Sequence, residues 1–343
     1  MVLLLLTYSY EFIIGGILTP DDISDGSIIN SPDSPYRFIL YSALVIAFVY
    51  LFVMSQTRRL IRTSKLLKEK EQALNLIAKQ KIELEIRDKN ITDSLNYAQR
   101  IQEALLPSET YFRYHFEDSF IFFRPKDIVS GDFYWIGGKG DKVFIVAADC
   151  TGHGVPGALM SMIGMEIIEK AINEDNIETP SKILEVLNKG LEKTFSREKN
   201  IGTIIRDGMD VGLCVIDKKN KKIRFAGAFF PLYLIRNENL VEIKGDKIII
   251  GMNPEGLSYT DHELDLMEDD IIYIFSDGYV DQFGGLENKK FMYRRFRYLL
   301  MTIHKFPVND QKSILEDNIR TWMAGNVQID DMMVIGFRPI KGT

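Results

Sequence analysis

The 343-residue chain is 46% hydrophobic and 26% charged and carries a formal net charge of −6, a balance that excludes a disordered tail and a single small domain. There is no global basic field to attract nucleic acid and no basic patch in the C-terminal two thirds, so a nucleic-acid partner is not expected. Two cysteines, Cys150 and Cys214, lie far apart inside apolar runs; they give neither a disulfide framework nor a zinc cluster and fit a reducing compartment.

The first apolar run, residues 2–18, contains Glu11, Gly15 and Gly16 and lacks the basic start of a secretory signal. It reads either as a first membrane span, with an acidic outer loop at Asp21, Asp22 and Asp25, or as a peripheral segment. Residues 38–54, "FILYSALVIAFVYLFVM", carry no charge, and Arg58, Arg59 and Arg62 follow at once. That pattern predicts a membrane helix whose C-terminal side faces the cytosol, because a buried helix of a soluble protein would show a polar face.

Between Pro35 and Pro107 there is no glycine or proline, so nothing stops one long helix. Leu60, Leu67 and Leu74 form one seven-residue series; Ile77, Leu84, Ile91, Ala98 and Leu105 form a second, offset as the two seam positions of a coiled coil require. Lys81 and Asp88 interrupt the first series before Leu95 resumes it, and charged seam positions can set register or permit a switch. A homodimer through this helix is expected. The resulting division is an N-terminal apolar, extracytoplasmic segment at 1–36, a transmembrane helix at 37–55, a coiled-coil helix at 56–106 and a cytosolic folded domain at 107–343.

From about residue 115 short β-like runs alternate with turns: "SFIFFRP", "DFYWIGG", "KVFIVAA", "DVGLCVID", "KIRFAGA", "PLYLIR", "IIYIFSD" and "MMVIGFR". Helical patterns cover 155–172, 180–195, 288–303 and 310–323. Neighbouring strands lack a helix between each pair, which argues against a doubly wound parallel sheet. The expected class is α+β, layered, with mainly antiparallel sheets.

Aspartates recur where these runs begin or end: Asp132 in "VSGDFYW", Asp149 in "VAADCTGHG", Asp277 in "FSDGYVDQFGG", and Asp330 with Asp331 in "QIDDMMVIGF". Any one of them could be a turn or capping residue. Together, held at strand ends beside glycines, they make a set of hard oxygen donors suited to Mg²⁺ or Mn²⁺ rather than zinc.

The segments "AQRIQEALLP", "DIVSGDFYW", "DCTGHGVPGALMSMIG", "FSDGYVDQFGG" and "DDMMVIGF", in this order, resemble the stage II sporulation protein E (SpoIIE) type of bacterial PPM serine/threonine phosphatases over about residues 96–338. The resemblance implies a sandwich of two antiparallel sheets flanked by helices. Between the sheets it implies a centre of two Mn²⁺ or Mg²⁺ ions that hydrolyses phosphoserine or phosphothreonine on a protein. By the same pattern Asp149 bridges the metals, Cys150 lends its main-chain carbonyl, Asp277 and Asp330 are further ligands, and Asp132 lies close to the metal waters. It also implies a regulatory partner, an anti-sigma factor antagonist in phosphorylated form, and control through the helices before the catalytic domain.

The chemistry is consistent with the residues. Two close cations lower the pKa of a bridging water and neutralise phosphoryl charge, so no covalent nucleophile is required. Cys150 is then a buried strand-end residue, and His153 either protonates the leaving oxygen or hydrogen-bonds its loop. Two positions depart from the family: Phe229 and Phe230 precede Pro231 where asparagine or histidine is usual, and Ile250 replaces a common proline. Both bear on substrate recognition or rate rather than on the ligands. They open the alternative of a catalytically weak, phosphatase-like binding module, against which the retention of every acid argues. A tethered cyclase fits less well, because Gly284 and Gly285 are followed by Leu286 instead of an acid.

Overall fold

The computed structural model describes residues 35–196, 207–252 and 257–340; the apolar run at 2–18 and the acidic loop after it lie outside them. The chain divides into two compact units, Met1–Lys89 and Asn90–Thr343. Helix α1, Pro35–Leu105, runs 71 residues unbroken, as a stretch without glycine or proline allows. Near its start it is long and apolar enough to cross a membrane by length and composition, and Leu40, Leu44, Phe48 and Leu51 stand exposed there. The seam residues Leu60, Leu67, Leu74, Ile77 and Leu84 are exposed as well.

The second unit begins within α1, at Asn90, and continues with α2 (Glu109–His115), whose N-cap Ser108 hydroxyl accepts from the Tyr111 N–H at 3.1 Å. Then come β1 (Ser119–Arg124), β2 (Phe133–Lys139), β3 (Lys142–Cys150), α3 (Val155–Asn173), α4 (Pro180–Ser196), β4 (Met209–Asp217) and β5 (Lys222–Ala228). The chain continues through β6 (Leu232–Arg236), β7 (Asn239–Ile243), β8 (His262–Asp265), β9 (Ile271–Phe275), α5 (Gly278–Asp281), β10 (Phe283–Gly284) and β11 (Lys289–Lys290). It ends with α6 (Tyr293–Ile303), α7 (Val308–Met323) and β12 (Met332–Phe337).

Two five-stranded sheets form, in the orders β2-β3-β4-β5-β8 and β1-β12-β9-β6-β7, with antiparallel pairing throughout. Along β3, Val143, Ile145 and Ala147 face the other sheet, while Phe144, Val146 and Ala148 pack with Ile168, Leu184 and Leu187 of α3 and α4. On β12, Met333, Ile335 and Phe337 face inward, and Met332 and Val334 pack with Phe296, Leu315 and Ile319 of α6 and α7. The result is helix, sheet, sheet, helix. Because the central strands are covered on both faces, their sequences are continuous apolar runs instead of alternating ones.

All eight strands expected from the sequence are present. Strands β7 and β8 were not legible: each is a short edge strand with alternating exposure, too brief for its period to stand out. The β6–β7 turn places Asn237 and Glu238 at φ +49° and +61°, the geometry of a two-residue hairpin loop. Helix α6 starts at Tyr293 instead of 288, because the small β10–β11 hairpin takes up the preceding residues. Helix α7 starts at Val308, directly after Pro307, rather than at 310.

Phe229 and Phe230 divide between surface and core. Phe230 is buried between the sheets at 4% exposure, and Phe229 is 45% exposed. Strand alternation does not separate them. A tight turn does: the Phe230 N–H donates to the Ala228 carbonyl at 2.7 Å, and Phe229 sits at φ +58°, a conformation rare for any residue but glycine and asparagine.

Candidate metal centre

The inward-facing rows of β2, β3, β4 and β12 each run on to an acid. Residues 143, 145 and 147 of β3 face the opposite sheet, and Asp149 continues that row; Cys150 turns the other way, into the core under α3 and α4. Asp132 extends the inward row of β2 (Tyr134, Ile136), and Asp331 that of β12. Asp210, directly opposite Asp149 in the β3–β4 register, does the same for β4. Antiparallel pairing brings the end of β3 and the starts of β2 and β4 to one end of a sheet. Ser276, just after β9, closes the gap to the second sheet, its hydroxyl donating to Asp132 Oδ2 at 2.5 Å while accepting from the Met333 N–H at 3.0 Å.

Glycines allow the loops to meet there. A Cβ on Gly278 would lie 1.8 Å from the Asp331 carbonyl oxygen, and one on Gly157 would lie 2.3 Å from that of Gly152, so neither site admits a side chain. The glycines of the "SDG" and "GVPGA" segments are therefore requirements of close approach.

Burial and crowding perturb these acids strongly. Asp132, 1% exposed, is held well above the usual carboxylate range by desolvation first and then by Asp149, with the Ser276 hydroxyl opposing. Asp149 is raised by desolvation and by Asp277, Asp330 and Asp210. Asp277, at the solvent edge, is pushed up to about 6 by the packed protein around it and by Asp281 and Asp330. Asp210 also reaches about 6, through burial and Asp277. Asp330 is raised by desolvation, an effect that Lys126 and His153 temper. Burial pushes the Cys150 thiol up, so it offers no thiolate.

Asp331 differs from its neighbours. Its Oδ1 accepts the Lys126 N–H and its Oδ2 the Gly131 N–H, both at 2.7 Å, so both oxygens clamp the loop that leads to Asp132. Asp330 has its Oδ1 on the Asp331 N–H at 2.9 Å and faces the other acids. His153, exposed, has its Nδ1 2.6 Å from Asp127 Oδ2. Three residues that sequence reasoning did not single out join the site: Ser276, Asp210 and Asp127. Asp210 had a local signal, an acid after glycine at a strand start in "DGMD"; Ser276 and Asp127 had none.

Among the described residues, no three of His, Cys, Asp and Glu stand close enough to cage an ion as placed. The donor chemistry nonetheless fits a hard divalent cation: the donors are oxygen only, the acids outnumber the bases near them, and they repel one another inside protein. Phe229 leaves β5 at this same end, since Ala228 pairs with Val211, next to Asp210.

This fold, with its acids at one end of two facing sheets, is that of a PP2C-type serine/threonine phosphatase domain, a class generally dependent on Mn²⁺ or Mg²⁺. Residues 139–339 match the family model described as Stage II sporulation protein E (SpoIIE). The chain belongs to the SpoIIE family. Of solved structures, the SiaA-PP2C domain of Pseudomonas aeruginosa is similar at 33% identity and a TM-score of 0.67, over 73% of this chain and 98% of that one. The fold alone is shared with the PP2C phosphatase domain and regulatory fragment of SpoIIE from Bacillus subtilis, at 17% identity and a TM-score of 0.51, over 64% of this chain and 62% of that chain. The same holds for the RsbU and RsbW domains of Rv1364c from Mycobacterium tuberculosis, at 17% and 0.50, over 64% and 59%. No curated protein matches the chain.

Proposed function

We propose that the protein is a membrane-anchored, metal-dependent phosphatase that removes phosphate from serine or threonine of a regulatory protein, an anti-sigma factor antagonist by the pattern of its family. The observation that carries this reading is the convergence of Asp132, Asp149, Asp277 and Asp330 at one end of the sandwich. Asp149, Asp277, Asp330 and the Cys150 carbonyl would hold two Mn²⁺ or Mg²⁺ ions. Asp132 would accept hydrogen bonds from their waters, and Asp331 would keep the Asp132 loop in place. When bound, such ions supply a water of lowered pKa and neutralise phosphoryl charge. His153 protonates the leaving oxygen. The relative that joins RsbU and RsbW domains supports a phosphoprotein substrate in a partner switch.

Phosphate release from a phosphoserine peptide by the purified chain is the test. Turnover that requires Mn²⁺ and is abolished by a chelator is expected; no turnover, or turnover indifferent to the chelator, would overturn the assignment.

In this reading residues 1–36 are an apolar extracytoplasmic segment, 37–55 the span, 56–106 the coiled coil and 107–343 the catalytic domain in the cytosol. The anchor is supported by the exposed apolar stretch of α1 and the arginines after it. Regulation is supported by Gln102, buried near the end of α1. Its amide donates to the Ser130 carbonyl at 2.7 Å and to Ser161 Oγ at 2.8 Å, and its carbonyl accepts the Ser130 N–H at 3.0 Å. Ser130 is two residues from Asp132, so the helix end bonds directly to the loop of the acid site.

The exposed seam residues support dimerisation through α1. Leu84→Lys together with Ile91→Lys places like charges on one seam and is expected to turn the 60–343 fragment monomeric in sedimentation; an unchanged oligomer would place the contact elsewhere.

A further inference from the structure

His153 pairs with Asp127, 26 residues earlier in the chain. Both side chains are about half exposed, at 51% and 45%, so the pair is not a buried structural ion pair. His153 stands between Gly152 at φ +85° and Gly154 at φ +68°, a backbone that folds back on itself and holds little else to orient the ring. A Cβ on Gly154 would lie 3.4 Å from Asp127 Oδ2, so the carboxylate rests against the same turn that carries the imidazole. Asp127 is itself anchored: the preceding residue, Lys126, donates its N–H to Asp331. His153 follows Asp149 by four residues, and a Cβ on Gly131, next to Asp132, would lie 2.7 Å from the Gly152 carbonyl oxygen, so the loop that carries the imidazole borders the acid site.

We propose that Asp127 is a positioning residue that holds His153 as the proton donor to the leaving oxygen. The inference rests on the phosphatase reading above. With Nδ1–H donated to Asp127, the doubly protonated ring has its transferable proton on Nε2. The oxygen of water forms the new bond to phosphorus, releasing one of its protons to solvent, as the bond to the seryl oxygen breaks. The electron pair of that bond stays on the seryl oxygen, which takes the Nε2 proton and leaves as the alcohol. The ring remains neutral, its proton on Nδ1 and Asp127, and regains the other from solvent. Asp331 thereby serves both halves of the site, accepting the Gly131 N–H beside Asp132 with one oxygen and the Lys126 N–H beside Asp127 with the other.

A proton donor matters most when the leaving group is basic, so the test compares two esters on the full chain with Mn²⁺: a phosphoserine peptide, which leaves as an alkoxide, and p-nitrophenyl phosphate, which leaves as a weakly basic phenolate. Asp127→Asn is expected to lower kcat on the peptide by about 10- to 100-fold, with a loss on the aryl ester about tenfold smaller. His153→Ala should show the same selectivity, the double variant should be no slower than His153→Ala, and Asp127→Glu should recover part of the peptide activity. Calorimetric titration with Mn²⁺ should give wild-type affinity for Asp127→Asn. Equal losses on both esters, weakened Mn²⁺ binding, or multiplicative losses in the double variant would each overturn the proposal. A wild-type chain that hydrolyses neither ester would instead remove the phosphatase reading, and the dyad with it.

Discussion

Asp149→Asn is expected to reduce phosphoester turnover by at least about a thousand-fold, roughly 4 kcal/mol of transition-state stabilisation, and to abolish the rise in melting temperature that Mn²⁺ gives the wild-type chain. Without metal the same substitution should stabilise the fold. Asp149 is crowded by Asp277, Asp330 and Asp210 in a desolvated site, and the amide carries no charge to repel them. Each kcal/mol so released corresponds to about 2–4 °C in melting midpoint for a domain of this size. The sign of the pH dependence follows. Carboxyls whose folded pKa lies above the unfolded value bind extra protons in the native state, so stability is full below the unfolded value and falls as pH rises through the folded one. For Asp210 and Asp277 that window closes at about 6; Asp132 and Asp149 are shifted in the same direction by burial and crowding. Metal-free wild-type chain should therefore melt higher at about pH 5 than at about pH 7.5, and Asp149→Asn should show a weaker slope. Thermal unfolding with chelator, with Mn²⁺ and at the two pH values measures each part. Full activity in the variant would remove Asp149 from the metal site.

The largest stability effect should come from Phe230→Ala. Phe230 is buried among the side chains of both sheets, and truncating such a phenylalanine costs about 3–5 kcal/mol in transfer and cavity terms. Its neighbour should behave in the opposite way. Phe229 occupies a left-handed conformation that costs a residue with a branched side chain about 1 kcal/mol and that asparagine tolerates, so Phe229→Asn should be neutral to slightly stabilising in denaturant melts. Kinetics add a second contrast. If the exposed ring contacts the protein substrate at the acid end of the sheets, Phe229→Asn lowers kcat/KM on the phosphoprotein while sparing p-nitrophenyl phosphate. Equal losses on the two substrates would show that the turn shapes the metal site itself.

What the sequence determined by itself was everything that repeats or contrasts locally. Apolar runs bounded by glycine and acid specified the eight main strands, and an uninterrupted 71-residue stretch specified α1; the face on which Asp149 lies did not show, because Val143 to Ala148 is apolar throughout. The short motifs, taken in order, specified the family. Tertiary structure alone decided which acids do which work, because their partners are remote along the chain. Asp331 and Asp330 are adjacent and identical in type, yet only folding brings the amides of Lys126 and Gly131, 205 and 200 residues away, onto Asp331. Ser276 reaches Asp132 across 144 residues, and Asp210 meets Asp149 only through strand register. The same holds for Phe229 and Phe230, adjacent and identical in type, which the fold separates by a turn closed between residues 228 and 230. A hydrogen bond or a repulsion depends on distance in space, and no local pattern encodes that distance until the two sheets close on each other.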